Sequence, residues 1–109
     1  MAQHITVLTG AGVSVESDIP TFRGPQGLWK THRPEELATP KAFMRDPELV
    51  WEWYDWRRRL VAQCQPNDAH LILAGWSQNY SKFILITQNV DGLHERAGTT
   101  NVIRFHGSI

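Results

Sequence analysis

Three apolar runs punctuate the chain, Ile5 to Leu8, Phe83 to Ile86 and Val102 to Phe105, and each has the length of a short strand. The first two are near-continuous, a pattern expected of strands buried on both faces of a parallel sheet. Asn67 to Tyr80 follows a different period: Ala69, Ile72, Leu73 and Trp76 recur at helical spacing toward a core, and Pro66 and Asn67 mark the start. Between the first strand and this helix lies a long insertion, Pro25 to Gln65. Pro34, Pro40 and Pro47 divide it into short segments before a tryptophan-rich helix from about Pro47 to Gln63. After the second strand, Gly92 to Ala97 predicts a short helix closed by Gly98.

Strand, crossover, strand, crossover, strand is the order of one half of an α/β fold with a Rossmann-like, doubly wound parallel sheet, here with a helical insertion after the first strand. Ligand chemistry belongs at the carboxyl ends of such strands. Thr9 to Gly12, Thr87 to Asp91 and His106 all fall there. Gly10 and Gly12 follow the first strand, so backbone amides can approach an anion with no Cβ in the way, and a helix starting near Ser14 would aim its positive end at the same place. The pair is equally the mark of a strand-to-helix turn, because the third glycine of the full dinucleotide fingerprint is missing and position 15 is Val. Gln88, Asn89 and Asp91 offer amide donors, amide acceptors and a carboxylate, although Asp91-Gly92 is also a common turn dipeptide. An imidazole titrates near pH 6.5, which suits His106 to take a proton from a sugar hydroxyl at neutral pH; a lone histidine is as readily structural.

Composition narrows the partners. Lys plus Arg and Asp plus Glu are 11 each, so no global field favours nucleic acid or an acidic membrane. One cysteine, Cys64, forms neither an internal disulfide nor a cysteine zinc cluster, and fits a reducing compartment. No apolar run approaches the roughly 18 residues of a membrane span, and no charged leader with an apolar stretch follows Met1. These features predict a soluble, cytoplasmic chain.

GAGVSVESDIPTFRG (Gly10 to Gly24), TQNVDGLHERAG (Thr87 to Gly98) and FHGS (Phe105 to Ser108), in this order and spacing, closely resemble the signature blocks of sirtuins, the NAD-dependent protein-lysine deacylases. The resemblance implies that Gly10, Ala11, Gly12, Val13 and Ser14 line the diphosphate and ribose site. Ile19, Pro20, Thr21, Phe22 and Arg23 would belong to a mobile cofactor-binding loop, with Trp29 and Val90 also on the cofactor. Gln88 and Asn89 would contact the nicotinamide ribose, Asp91 would anchor the nicotinamide amide, and His106 would be the general base. Asp18 departs from the pattern, because many members have glycine in this step.

Tyr54 and Arg57 lie three apart, hence on one helix face, where a phenol and a guanidinium can grip a carboxylate. An amphipathic helix with Val50, Tyr54 and Val61 packed and Arg57 to Arg59 solvated accounts for the same residues. The context LATPKAFMRDPELVWEWYDWRRRL resembles the sirtuins that remove succinyl, malonyl or glutaryl groups, and implies that Tyr54 and Arg57 select the acyl carboxylate while Ala38 leaves room for it.

The implied reaction yields nicotinamide, acyl-ADP-ribose and free lysine, with acyl-lysine proteins or peptides as substrates, acetyl groups as a second class, and no catalytic metal. Residues 1–109 would form part of an NAD-binding catalytic domain, with the insertion at about 25–65 and the sequence stopping just after the histidine block. The four-cysteine zinc ribbon and the second half of the sheet, which holds adenosine in the family, are missing from this sequence, so the expectation is an N-terminal fragment or truncated product with weak NAD binding and little turnover alone. A noncatalytic binder of nucleotides or acidic ligands and a mono-ADP-ribosyltransferase remain the alternatives.

Overall fold

The computed structural model describes residues 4–19 and 32–109. Two compact units divide the chain, one formed by residues 1–18 with 64–109 and the other by residues 19–63.

In the first unit, strands β1 (His4–Thr9), β2 (Lys82–Thr87) and β3 (Val102–Arg104) form a parallel sheet in the order β1-β2-β3. The register pairs His4 with Lys82 and Thr9 with Thr87, so β1 and β2 end side by side, and Thr87 pairs in turn with Arg104. The parallel α/β topology is the one expected. Burial on both faces is not: Phe83, Leu85 and Thr87 are buried, whereas Leu8 is 66% and Ile84 38% exposed. Residues alternate between the two faces of a strand, and helix α4 (Asp68–Asn79) packs against β2, with α5 (Leu93–Ala97) packed on α4 in turn. A run of apolar residues therefore encodes strand here without encoding two covered faces.

Helix α4 also turns a different side inward from the one its hydrophobic spacing predicts. His70 and Ala74 are buried, Leu73 is half-buried, and Ala69, Ile72 and Trp76 are exposed. The reason is polar. Asn67 caps the helix by accepting from the Ala69 amide at 2.9 Å, while the Asn67 amide donates to Nδ1 of His70 at 3.0 Å, so an imidazole with its hydrogen bonds made occupies a position that hydrophobic spacing assigns to solvent. Helix α5 runs between two left-handed glycines, Gly92 (φ 71°) and Gly98 (φ 106°).

A 3-10 helix, Ala11–Ser17, stands where an α-helix from near Ser14 was expected, and it begins directly after Gly10. Asp18 closes it in the left-handed region (φ 61°, ψ 29°), its amide donating to the Val15 carbonyl. Glycine adopts that conformation most readily, and Asp is among the few other residues that tolerate it.

In the second unit, each proline dividing the insertion opens a helix: Pro34 begins α1 (Pro34–Leu37), Pro40 begins α2 (Pro40–Arg45) and Pro47 begins α3 (Pro47–Ala62). Thr39 and Asp46 cap α2 and α3 by accepting from the Ala42 and Leu49 amides, each at 3.1 Å. Leu37, Val50 and Trp53 form the core of this unit, with Leu49, Tyr54 and Trp56 packed at its margin. Among the described residues, no helix is long and apolar enough to cross a membrane.

Candidate functional site

The carboxyl ends of β1 and β2 carry a connected polar cluster. The Gln88 amide donates to the Thr9 carbonyl at 3.0 Å, extending the pairing one residue beyond the strands. Asn89 then reaches back across the gap, its Nδ2 donating to the Gly10 carbonyl at 2.8 Å and to Ser14 Oγ at 3.3 Å. Ser14, buried, donates to Asp91 Oδ2 at 2.7 Å, while Asp91 Oδ1 accepts from the Leu93 amide and so anchors the start of α5. Gly10, Ser14, Asn89 and Asp91 are thus brought together, as the sequence blocks imply.

These bonds decide which atoms face a ligand. Both Nδ2 hydrogens of Asn89 are engaged, which leaves Oδ1 to accept from a hydroxyl, and the Asp91 carboxylate, with about four lone-pair sites, keeps acceptor capacity beyond its two bonds. Neither Gly10 nor Gly12 has a positive φ, so the turn itself does not demand glycine. Among the described residues, a Cβ on Gly12 would meet nothing within 4 Å, and on Gly10 its nearest neighbour would be Gln88 Oε1 at 3.9 Å. The space that the missing side chains leave is open, as the close approach of a diphosphate requires.

The remaining positions are placed less tightly. Ala11 and Gln88 are exposed, Val13 and Val90 half-buried, and Val13 accepts from Asn67 Nδ2 at 2.9 Å. The backbone around His106 is tied to the same edge, because the Phe105 amide donates to the Thr87 carbonyl at 2.9 Å and the Ile109 amide to the Val90 carbonyl at 3.3 Å. The His106 imidazole is exposed, edge-on to the Phe105 ring. Ile19 is half-buried in the second unit; Pro20, Thr21, Phe22, Arg23 and Trp29 lie outside the described residues.

Two buried histidines escaped the sequence reading. His70 Nδ1 accepts from the Asn67 amide, so Nε2 carries the proton and points it at Ser14 Oγ, 3.4 Å away. His94 Nε2 lies 2.9 Å from Thr9 Oγ1, whose own hydroxyl donates to Thr87 Oγ1, so the imidazole is the donor in that contact. The rings meet edge to face with centroids 5.0 Å apart. The spacing Asn67…His70 is that of a capping box, which is the signal that was available.

Burial pushes both imidazoles below the ordinary histidine range; for His94 the neighbouring His70 lowers it further, while Asp91, and for His94 also Glu95, oppose the shift. The unfolded chain therefore binds more protons than the native one below about pH 6.5, and stability falls as pH falls. Urea midpoints measured between about pH 7.5 and about pH 5 are expected to decline, with a shallower decline in His94→Gln. A flat native profile would count against two neutral histidines.

In the second unit, the Arg57 guanidinium lies 4.7 Å from the Trp53 ring centroid and 5.9 Å from that of Tyr54. Burial lowers its pKa, opposed by Tyr54. Arg57 is half-buried on aromatic rings rather than part of a solvated run, while Arg59 is exposed and paired with Asp55 at 2.5 Å. Ala38 closes α1 with its side chain exposed, next to the buried Leu37. Among the described residues, no group of three or more His, Cys, Asp or Glu is placed to hold a metal.

Known proteins are similar to this chain in sequence and in fold. The chain is 61% identical over 106 residues to an NAD-dependent protein deacylase of Aquifex aeolicus (strain VF5), covering 97% of this chain and 44% of that protein. It is 62% identical over 103 residues to NAD-dependent protein deacylase 1 of Caldanaerobacter subterraneus subsp. tengcongensis, covering 94% and 43%. Among solved structures, a complex of a Sir2 homologue with NAD superposes with a TM-score of 0.83 at 60% identity, over 94% of this chain and 41% of that one. The chain thus spans less than half the length of these relatives. The sequence profile of the Sir2 family matches residues 10–109, from the first glycine of the candidate site to the end of the chain, and the chain belongs to that family.

Proposed function

We propose that this chain carries the nicotinamide-ribose and diphosphate side of an NAD-dependent protein-lysine deacylase, with residues 1–109 as part of an NAD-binding domain and the insertion at about 25–65 serving substrate choice. The observation that carries this reading is the Ser14–Asn89–Asp91 cluster beside the open space at Gly12. The names of the Aquifex and Caldanaerobacter relatives support it. Bound NAD supplies a ribosyl carbon from which nicotinamide departs, and so the means of taking an acyl group from lysine.

The residues do the rest. Backbone amides after Gly10 hold the diphosphate, Asn89 Oδ1 accepts from a ribose hydroxyl, and Asp91 accepts from the carboxamide N–H of nicotinamide. His106 takes a proton from the ribose. Ile19, Pro20, Thr21, Phe22 and Arg23 are further cofactor-binding residues in this reading. In the second unit, Tyr54 and Arg57 hold the terminal carboxylate of a succinyl, malonyl or glutaryl group.

Gly12→Ala tests the cofactor site, because the added methyl meets no atom of the described residues within 4 Å and should leave folding intact. NAD titrated into the chain and followed by amide NMR shifts is expected to bind at least about tenfold more weakly in the variant. Equal binding by the two, or no NAD-dependent shift in the native chain, would remove the assignment.

A further inference from the structure

His94 is buried to 1% exposure, and its Nδ1 has no hydrogen-bond partner among the described residues. An imidazole kept inside with one nitrogen unsatisfied costs more than an apolar side chain of the same shape, so its other nitrogen merits an explanation. That nitrogen starts a relay. Nε2–H donates to Thr9 Oγ1 at 2.9 Å, the Thr9 hydroxyl donates to Thr87 Oγ1 at 2.9 Å, and Thr87 Oγ1 accepts from the Asn89 amide at 3.1 Å. Thr9 and Thr87 are paired in the sheet register at the ends of β1 and β2, which is why their hydroxyls can meet.

We propose that His94 is a positioning residue that sets Asn89 through the Thr9–Thr87 hydroxyl pair. Resting on the functional reading above, this inference assigns to the site a residue that touches no ligand. The relay holds the two threonine side chains in place: His94 donates to Thr9, Thr9 donates to Thr87, and this bond keeps Thr87 Oγ1 in the rotamer from which it accepts the Asn89 amide. The Asn89 side chain is held separately by the Gly10 carbonyl and Ser14. Backbone and side chain are thereby both fixed, and Oδ1 is held outward. Without the donor, Thr9 turns freely, Thr87 loses the bond that fixes its rotamer, and the acceptor of the Asn89 amide is no longer held in place. Glutamine can present an N–H at the place of Nε2; leucine fills the volume without one.

Amide hydrogen exchange on the chain itself tests the relay with no ligand present. Asn89 is expected to exchange about tenfold faster or more in His94→Leu and in Thr9→Val, the equivalent of about 1.4 kcal/mol, with no further gain in the double variant. His94→Gln is expected to stay within about threefold of the native chain, and the Leu85 amide inside β2 to be unchanged throughout. Asn89 exchange unaltered in Thr9→Val, or accelerated together with Leu85, would overturn the proposal, and the Thr9→Val and His94→Gln pair decides it if His94→Leu fails to fold. In NAD titrations, His94→Leu is expected to weaken binding while His94→Gln does not. A native chain that bound no NAD would count against the functional reading, and the exchange result would still judge the relay.

Discussion

Replacing His106 by alanine is expected to lower deacylase kcat by about 10² to 10⁴-fold, the usual worth of a general base, with little change in the affinity for NAD. The assay that isolates this chain's contribution is a chimera in which it replaces the matching stretch of the 61% identical Aquifex aeolicus deacylase. The expectation follows from placement. Hydrogen bonds from Phe105 to Thr87 and from Ile109 to Val90 fasten the His106 segment beside the Asn89 end of the site, while the imidazole itself is exposed, edge-on to the exposed Phe105 ring. An exposed side chain whose ring contact is with another exposed ring can be removed without unfolding the sheet, so the loss should fall on turnover rather than on stability. Kinetics within about threefold of the parent chimera would take His106 out of the proton-transfer role; a parallel drop in melting temperature would mean that it is structural after all.

Much of the site was legible because its parts sit in short, contiguous blocks at strand ends, where topology brings them together. Gly10, Asn89 and Asp91 needed only the inference of a parallel sheet to become neighbours, whereas Ser14 joined them through the resemblance of its block to the family signature. What the sequence did not show is the layer beneath. His70 and His94 lie at positions that hydrophobic spacing assigns to solvent or turn, because periodicity counts apolar side chains and is blind to a polar one whose hydrogen bonds are made inside. The same blindness rotated the expected inner face of α4 from His70 and Ala74 to Ile72 and Trp76. Glycine was legible as a feature but not in its cause. Gly10 and Gly12 need no unusual backbone, so their role lies in the space they leave open, whereas Asp18 adopts the left-handed conformation with no glycine at all.

Arg57→Met is expected to erase a preference for succinyl-lysine over acetyl-lysine peptides in the same chimera, lowering succinyl kcat/KM by about 10- to 150-fold and leaving acetyl kcat/KM within about threefold. The magnitude is that of a charge-assisted hydrogen bond lost to an ionised partner, about 1.5–3 kcal/mol. Two features of the second unit set the sign. The guanidinium rests on the Trp53 and Tyr54 rings, which orients it and strips part of its water, and desolvation already lowers its pKa. A partly desolvated cation gains more from an arriving carboxylate than a solvated one does, because less hydration is left to displace. Methionine preserves much of the stem that packs on the rings, so the helix should remain, and Tyr54→Phe should cost only the single hydrogen bond of the phenol, a smaller loss in the same direction. Equal losses on succinyl and acetyl peptides would show that Arg57 supports α3 rather than reading the acyl group. No succinyl advantage in the parent chimera would mean that the acyl carboxylate is not what this helix recognises.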